Sequence, residues 1–414
     1  MSNNYFKIED TLFDITQNYP ETIAIFTSHG FPQMENESSR NTFGKSINLK
    51  TALNLKKINV NEFSNLLGEV IDQKREGEGE EGISLNNSNS KNTIKIEGLL
   101  PCPVRVPLLD ALESFLENNK NELKETNINY ELKAASMGLT WLKDSIENED
   151  SESKISDLFI SAGFDLFFDK KLIGKFKDKD VFEDISNLDK YNKDFQNDYL
   201  NLKDPMKHYS MIGVVPAVFL INTNELRDRE IPKTWADLLK PEFKSSISLP
   251  VSDFDLFNAI LLNIHKIYGE EGVEKLGKNL LQSMHPAQMV KSATKKSNIP
   301  AITIMPYFFT KTIKEGGAMQ AVWPEDGSII SPLFMLTKKA KKDLLKPIVD
   351  LFSSKKVGEI LAHKGLFPST NPEVDNKIDE KNKYMWLGWD YIYNNDIGAL
   401  IKKCEDIFKK GAGF

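Results

Sequence analysis

Cysteine is scarce in this chain. Only Cys102 and Cys404 occur in 414 residues, too far apart in sequence to suggest a disulfide framework or a zinc-type spacing. The five histidines are scattered, with no His–x–x–His or His–x–x–x–His pair, so no metal ion is expected. Basic residues are spread along the chain and the formal net charge is −7; neither nucleic acid nor an anionic membrane is an expected partner. No apolar run approaches the roughly 20 residues that span a bilayer, so membrane insertion is not expected. The opening "MSNNYFKIEDTLFDITQNYPE" has no basic segment followed by an apolar one, as an export signal would. Together with the sparse cysteines this leads to the expectation of a cytoplasmic protein. Gly–x–Gly–x–x–Gly, Walker and Gly–x–Ser–x–Gly motifs are missing, and 60 acidic residues are too many to single out a catalytic carboxylate pair. No cofactor and no catalytic group is expected.

What is present is a globular composition, 40% apolar and 27% charged, with length for two or three domains. Residues 72–91, "DQKREGEGEEGISLNNSNSK", lack apolar periodicity and read as a flexible linker. Before it, residues 1–71 carry helical spacing. Leu12, Ile15, Tyr19, Ile23 and Phe26 precede Gly30, and Leu49, Ala52, Leu53, Phe63, Leu66, Leu67 and Val70 repeat the pattern, with Asn48 and Asn61 placed as N-caps. A small all-α domain of four or five short helices is expected. After it, residues 92–414 alternate strands and helices. "TIKIEGLL", "INYELKAA", "SDLFISAG", "IGVVPAVFLIN", "SISLP", "ITIMPY" and "SPLFMLT" read as strands, and helices are expected after Pro107 and around 254–269, 272–284 and 344–364. That alternation is α/β, and ligands in such folds lie at the carboxyl ends of strands.

Two stretches carry a family resemblance. "MIGVVPAVFLINTNELRDREIPKTWADLLKPEFKSSISLP", with Pro216, Asn222, Pro232, Trp235 and Asp237, resembles the entry into the second lobe of ABC-transporter-type extracellular solute-binding proteins. "AVWPEDGSIISPLFMLTKKAKKDLLKPIVDLFSSKKVGEILAHKGLFPST" resembles their return segment. The likeness covers roughly 92–410 and lies nearest the branch that binds iron(III), thiamine and small anions. It implies a two-lobe type II periplasmic-binding-protein fold, with the second lobe near 216–320 and a hinge that closes over ligand. More faintly, the N-terminal helices resemble the small helical domain beside hybrid-cluster and iron–sulfur-repair proteins. Many of those carry a Cys–x–x–Cys pair where this chain reads "HGFPQMENE". Here the domain is read as a docking or ligand-sensing module that contacts a protein partner.

The candidate ligand-binding residues stand after strands. Cys102 and Arg105 lie where the first strand hands over to a helix, a place that favours anions; the alternatives are a packed small thiol and a surface ion pair. Ser136 in "AASMG", and Ser161 and Gly163 in "SAGFD", follow the next strands, as a site or as tight turns. "LPVSDFDLF" offers Ser252 and Asp253, with Asp255 beyond, as ligand contacts or helix caps. In ferric-binding relatives two adjacent tyrosines hold the metal near Tyr307. Here Phe308 and Phe309 are the neighbours, which suits an organic ligand or oxyanion on an aromatic wall. Trp323 is read as a stacking residue or a hinge residue. The expected function is a cytoplasmic solute-binding protein closing two lobes over a small organic or anionic ligand, for sensing or intracellular carriage. The alternative is an enzyme on the same scaffold, with Cys102 as nucleophile and Asp253 or Asp326 as base.

Overall fold

The computed structural model describes residues 5–20, 22–23, 26, 31–55, 60, 63–64, 67–68, 71, 84–85, 92–123, 125–135, 139–196, 200–250, 254–283, 299–313 and 316–413. The chain divides into two units, Met1–Glu81 and Gly82–Phe414.

The first unit is helical. Helix α1 (Leu12–Asn18) starts where the Thr11 side chain accepts the Asp14 N–H. Helix α2 (Leu49–Leu55) starts where Asn48 Oδ1 accepts the Thr51 N–H at 2.8 Å. Each cap satisfies a backbone donor that the first helical turn leaves open. Leu12, Ile15, Phe26, Phe31, Met34, Leu49 and Leu53 form the buried core. Asn61 and Gly30 lie outside the described residues.

Among the described residues the second unit carries eleven strands: β1 (Ser84–Leu85), β2 (Asn92–Leu100), β3 (Thr126–Ala134), β4 (Leu158–Ser161), β5 (Tyr209–Asn222), β6 (Ile247–Leu249), β7 (Leu280–Ser283), β8 (Ile302–Pro306), β9 (Met319–Val322), β10 (Ser328–Thr337) and β11 (Tyr384–Met385). Their order is β1-β3-β2-β4-β10-β5-β8-β6-β7, with β11 on β10 and β9 on β5. Lobe one is built on β2, β3 and β4, which run parallel. Lobe two is built on β6, β7 and β8, also parallel to one another. The long strands β5 and β10 cross between them. β5 pairs with β10 through Tyr209–Pro216 and with β8 from Ala217 onward, so one continuous strand serves both lobes. Such all-buried, β-branched-rich strands need helices on both faces. They are supplied by α3 (Arg105–Asn118), α4 (Thr140–Glu147), α5 (Phe164–Phe168), α6 (Phe254–Asn279), α7 (Lys342–Phe352) and α8 (Ile397–Ala412).

Three local expectations change. Ser84–Leu85, inside the expected linker, pairs antiparallel with β3. The two helices expected around 254–284 form one element, α6, bent at Gly269, whose φ is +68°. It stops at Asn279, whose amide donates to the Leu238 and Lys240 carbonyls, and the chain then runs into β7. The helix expected over 344–364 breaks at Ser353: its amide closes α7, and Ser354 caps a new turn by accepting the Val357 N–H.

The two faces of lobe one feed different cores. Phe159, Phe164 and Phe334 belong to a cluster that continues through Ile302, Phe257 and Phe408, and so runs across both lobes. Leu158 and Ile160, on the other face by strand alternation, belong to a second cluster with Leu108, Leu112, Leu345 and Phe367.

Candidate functional site

The carboxyl end of β4 in lobe one meets the crossing strand β10, and that of β8 in lobe two meets β5. β4 pairs with β10 through Phe334–Thr337, and β11 pairs with it at Ser328 and Ile329. Between those pairings, among the described residues, Ile330–Leu333 of β10 has a strand beside it on the β5 edge alone. The result is a gap in the strand pairing, a notch in the hydrogen-bonding pattern whose β10 residues are themselves buried. Ser161–Gly163 flanks it at the end of β4 and Tyr384–Trp386 at the other side. The rings of Phe164 and Trp386, 5.8 Å apart, connect the two flanks.

Several polar groups gather here. The Ser331 hydroxyl, fully buried, donates to the carboxylate of Asp255 in the first turn of α6. That bond ties a crossing strand to the start of a lobe-two helix. Ser161 is buried, and its hydroxyl donates to the Ala162 carbonyl at 2.6 Å. Gly163 has φ +132°, and a Cβ there would lie 3.0 Å from Leu139 Cδ1. The turn therefore needs glycine. Asp165 just beyond is held by Lys143 of α4 and by the Leu166 N–H.

An aromatic wall continues from the notch into lobe two. Tyr307, directly after β8, meets Trp323 edge-on at 5.2 Å; Trp323 meets Tyr384 at 5.5 Å; Tyr384 meets Phe195 at 4.9 Å. Trp323 Nε1 donates to the Lys383 carbonyl at 2.6 Å, which fixes its ring. Burial pushes the Tyr307 phenol above its ordinary range. Tyr384 is 7% exposed, and burial, then Asp194 and Tyr307, raise its phenol strongly. Among the described residues its hydroxyl has no hydrogen-bond partner, and neither has Nε1 of Trp386, also 7% exposed. Two buried donors in one short segment are thus left without acceptors, each a cost of about 1–3 kcal/mol.

The residues singled out in the sequence fall in several places. Ser161, Gly163, Tyr307 and Trp323 are brought to the notch and its wall. Arg105 starts α3, is 5% exposed, and its Nε donates to the Leu132 carbonyl of β3 at 3.0 Å; this contact ties α3 to the sheet. Cys102 opens a 3-10 turn, Cys102–Val104, at the end of β2. Ser136, Ser252 and Asp253 lie outside the described residues. Asp326 accepts the Trp235 N–H at 3.0 Å, while Trp235 Nε1 donates to the Gly327 carbonyl, so that carboxylate clamps a turn. Burial raises the Asp326 carboxyl. The other cysteine, Cys404, is a fully buried thiol pushed up to about 12 by burial. Among the described residues no group of three or more His, Cys, Asp or Glu side chains is placed to hold a metal ion, and no helix is long and apolar enough to cross a membrane.

Sequence reasoning passed over Ser331, Tyr384 and Trp386. Ser331 is a lone serine inside an apolar strand, a weak signal by itself. Tyr384 and Trp386 sit in a loop-rich stretch, and only the pairing of β11 with β10 brings them to the notch.

Comparison with known proteins agrees with this architecture. The family of bacterial extracellular solute-binding proteins matches residues 153–395, more than half the chain. A domain of unknown function (DUF1858) matches residues 6–63. No curated protein matches the sequence. Among solved structures, the periplasmic binding protein AfuA from Actinobacillus pleuropneumoniae, with exogenous fructose-6-phosphate bound, is similar at 19% identity and TM-score 0.53, over 77% of this chain and 99% of that one. The ferric binding protein from Campylobacter jejuni is similar at 16% identity and TM-score 0.53, again over 77% and 99%. The Trichodesmium protein solved with iron and citrate ligands is similar at 12% identity and TM-score 0.53, over the same shares. At these identities the likeness concerns the fold. With its two α/β lobes joined by crossing strands and a small helical domain in front, the chain belongs to the bacterial extracellular solute-binding protein family.

Proposed function

We propose that the protein binds a small organic solute in the notch between its lobes, and that it does so in the cytoplasm as a sensor or carrier. The observation that carries this reading is the pair of buried donors, Tyr384 Oη and Trp386 Nε1, left without acceptors beside the unpaired edge of β10. A ligand acceptor that reaches either group recovers a hydrogen bond left unmade among the described residues. The aromatic wall of Tyr307 and Trp323 suits the flat or apolar side of an organic molecule. Asp255 on the opposite side, and Asp194 near Tyr384, oppose a multiply charged anion and favour an uncharged polar solute that offers an acceptor to Tyr384 and a donor to Asp255. Tyr307 is followed by Phe308 and Phe309, so a pair of tyrosines adjacent in sequence, as a hard cation would use at this point, is not offered. The free thiol of Cys404 fits a reducing compartment, and cell fractionation with an antibody tests that placement. The helical domain is assigned the part of passing the bound state to a protein partner.

The test is a thermal-shift screen of the full chain against sugars, polyols, carboxylic acids, amides and nucleosides, followed by small-angle scattering of the hits. A saturable rise in melting temperature together with a smaller radius of gyration supports the reading. A screen without hits, and with no compaction under any compound, sinks it.

A further inference from the structure

A second contact joins the lobes, on the face away from the shared core. Phe308 and Lys311 belong to the short helix Tyr307–Thr312 that follows β8 of lobe two. Opposite stands the lobe-one turn Ile360–Lys364, which runs on to Phe367. Its last carbonyls lack partners within the helix, as at any helix C-terminus, and carry the negative end of its dipole. Lys311 Nζ donates to the Lys364 carbonyl at 2.8 Å and to that of His363 at 3.3 Å. The Phe308 ring stacks on Phe367 with an interplanar angle of 22° and centroids 6.2 Å apart, and it packs against the lobe-one cluster of Ile160 and Leu361. Lys311 also lies 5.5 Å from the centre of the Phe308 ring. One lobe thus offers an ammonium and a ring, and the other supplies a carbonyl pair and a ring.

The location gives the contact its meaning. The large aromatic and aliphatic cluster shared by both lobes lies on one face of the sheet. Phe308 packs on the other cluster, across the sheet from it. The clasp sits beside the crossing: Phe308 comes two residues after Pro306, which pairs with Ala217 of β5, and Phe367 comes just before Pro368, whose carbonyl accepts the Val214 N–H, so it bears directly on the strand that passes from one lobe to the other. The segment it grips also rests on the loop after β2, since a Cβ on Gly365 would come within 2.7 Å of Val104 Cγ1.

We propose that Lys311 and Phe308 form an interlobe clasp that sets the fraction of molecules in the closed form, and through that fraction the affinity for solute. They are positioning residues: the affinity seen from outside scales with the closed fraction, whatever contacts the solute itself makes. The clasp goes beyond the solute-binding reading and holds or fails without reference to any solute.

The experiment measures lobe separation directly. Spin labels at two exposed positions, Lys120 in lobe one and Asp228 in lobe two, are read by pulsed electron resonance in a Cys102→Ser background, Cys404 being fully buried. No solute is added. The parent is expected to show a dominant short distance. The Phe308→Ala/Lys311→Ala double variant is expected to raise the ratio of long- to short-distance molecules by about five-fold or more. Lys311→Arg, which keeps a cation and its N–H donors, is expected to restore the parent distribution. Superimposable distributions for parent and double variant, both folded by circular dichroism, overturn the proposal. So does a parent without a dominant short distance. Should the double variant fail to fold, the exposed single change Lys311→Gln decides by the same readout.

Discussion

Replacing Tyr384 by Phe tests the notch most directly, because the change removes one oxygen and keeps the ring. In an ordinary buried tyrosine the hydroxyl has a partner, and its loss costs about 1 kcal/mol. Tyr209 is such a case: it is fully buried and its hydroxyl donates to the Phe167 carbonyl at 3.1 Å. Tyr384 is the reverse case, a buried hydroxyl with no acceptor among the described residues. Its presence costs desolvation without return, about 1–3 kcal/mol. Tyr384→Phe therefore should stabilise the solute-free protein by about 1 kcal/mol, a rise in melting temperature of about 2 °C for a unit of this size. Tyr209→Phe should lower it by a similar amount. The same Tyr384→Phe protein should bind the solute found in the thermal-shift screen roughly three- to ten-fold more weakly, the worth of one neutral hydrogen bond. The assay is paired thermal and urea denaturation of the three proteins in one buffer, followed by titration. If Tyr384→Phe loses stability as Tyr209→Phe does, its hydroxyl has a structural partner in the solute-free protein and the argument for a waiting acceptor site collapses.

Two further outcomes check other parts of the structure. Gly163→Ala forces a side chain into a backbone conformation with φ +132° and against Leu139; it should cost about 1–3 kcal/mol in denaturant unfolding and weaken solute binding, whereas an unchanged midpoint contradicts the turn geometry. Asp237 has its carboxyl lowered from 3.8 to about 2: burial pushes it up, but the Lys240 ammonium, the Lys233 and Thr234 N–H groups and the Thr234 hydroxyl outweigh that. Because the folded pKa is the lower one, its contribution is full above pH 4 and is lost as pH falls toward 2. Asp237→Asn should flatten the stability profile in that window alone, measured by urea midpoints between pH 2 and 6.

Much of the fold was legible because it rests on patterns confined to short stretches. The apolar runs of β2, β4, β8 and β10 are continuous, as strands covered on both faces must be, and Thr11 and Asn48 announce their helices by residue type and place. Where the expectation failed, a residue from elsewhere in the chain made the difference. Asn279 ends α6 because the Leu238 and Lys240 carbonyls are there to receive its amide, which no local spacing encodes. Ser84–Leu85 becomes a strand because β3 presents an edge.

The site divides along the same line. The rule that ligands gather at strand ends nominates Gly163 and Tyr307, which follow strands directly. Arg105 obeys the same rule in sequence, yet its side chain turns back to the Leu132 carbonyl of the neighbouring strand, because a buried guanidinium takes the nearest backbone acceptor. Ser331, Tyr384 and Trp386 are invisible to that rule: the first lies in mid-strand, and the other two stand some fifty residues further on. What unites them is a gap in the pairing along β10, and a gap is a property of the assembled sheet. The same holds for the clasp. Nothing in "YFFTKT" marks Lys311 apart from any other lysine until the turn ending at Lys364 supplies carbonyls from the other lobe. In a two-lobe protein the residues that recognise and the residues that close are defined by which lobe they face, and the lobes are far apart in sequence. Local pattern therefore identifies the lobes, whereas the proposed site and clasp lie in pairings between them.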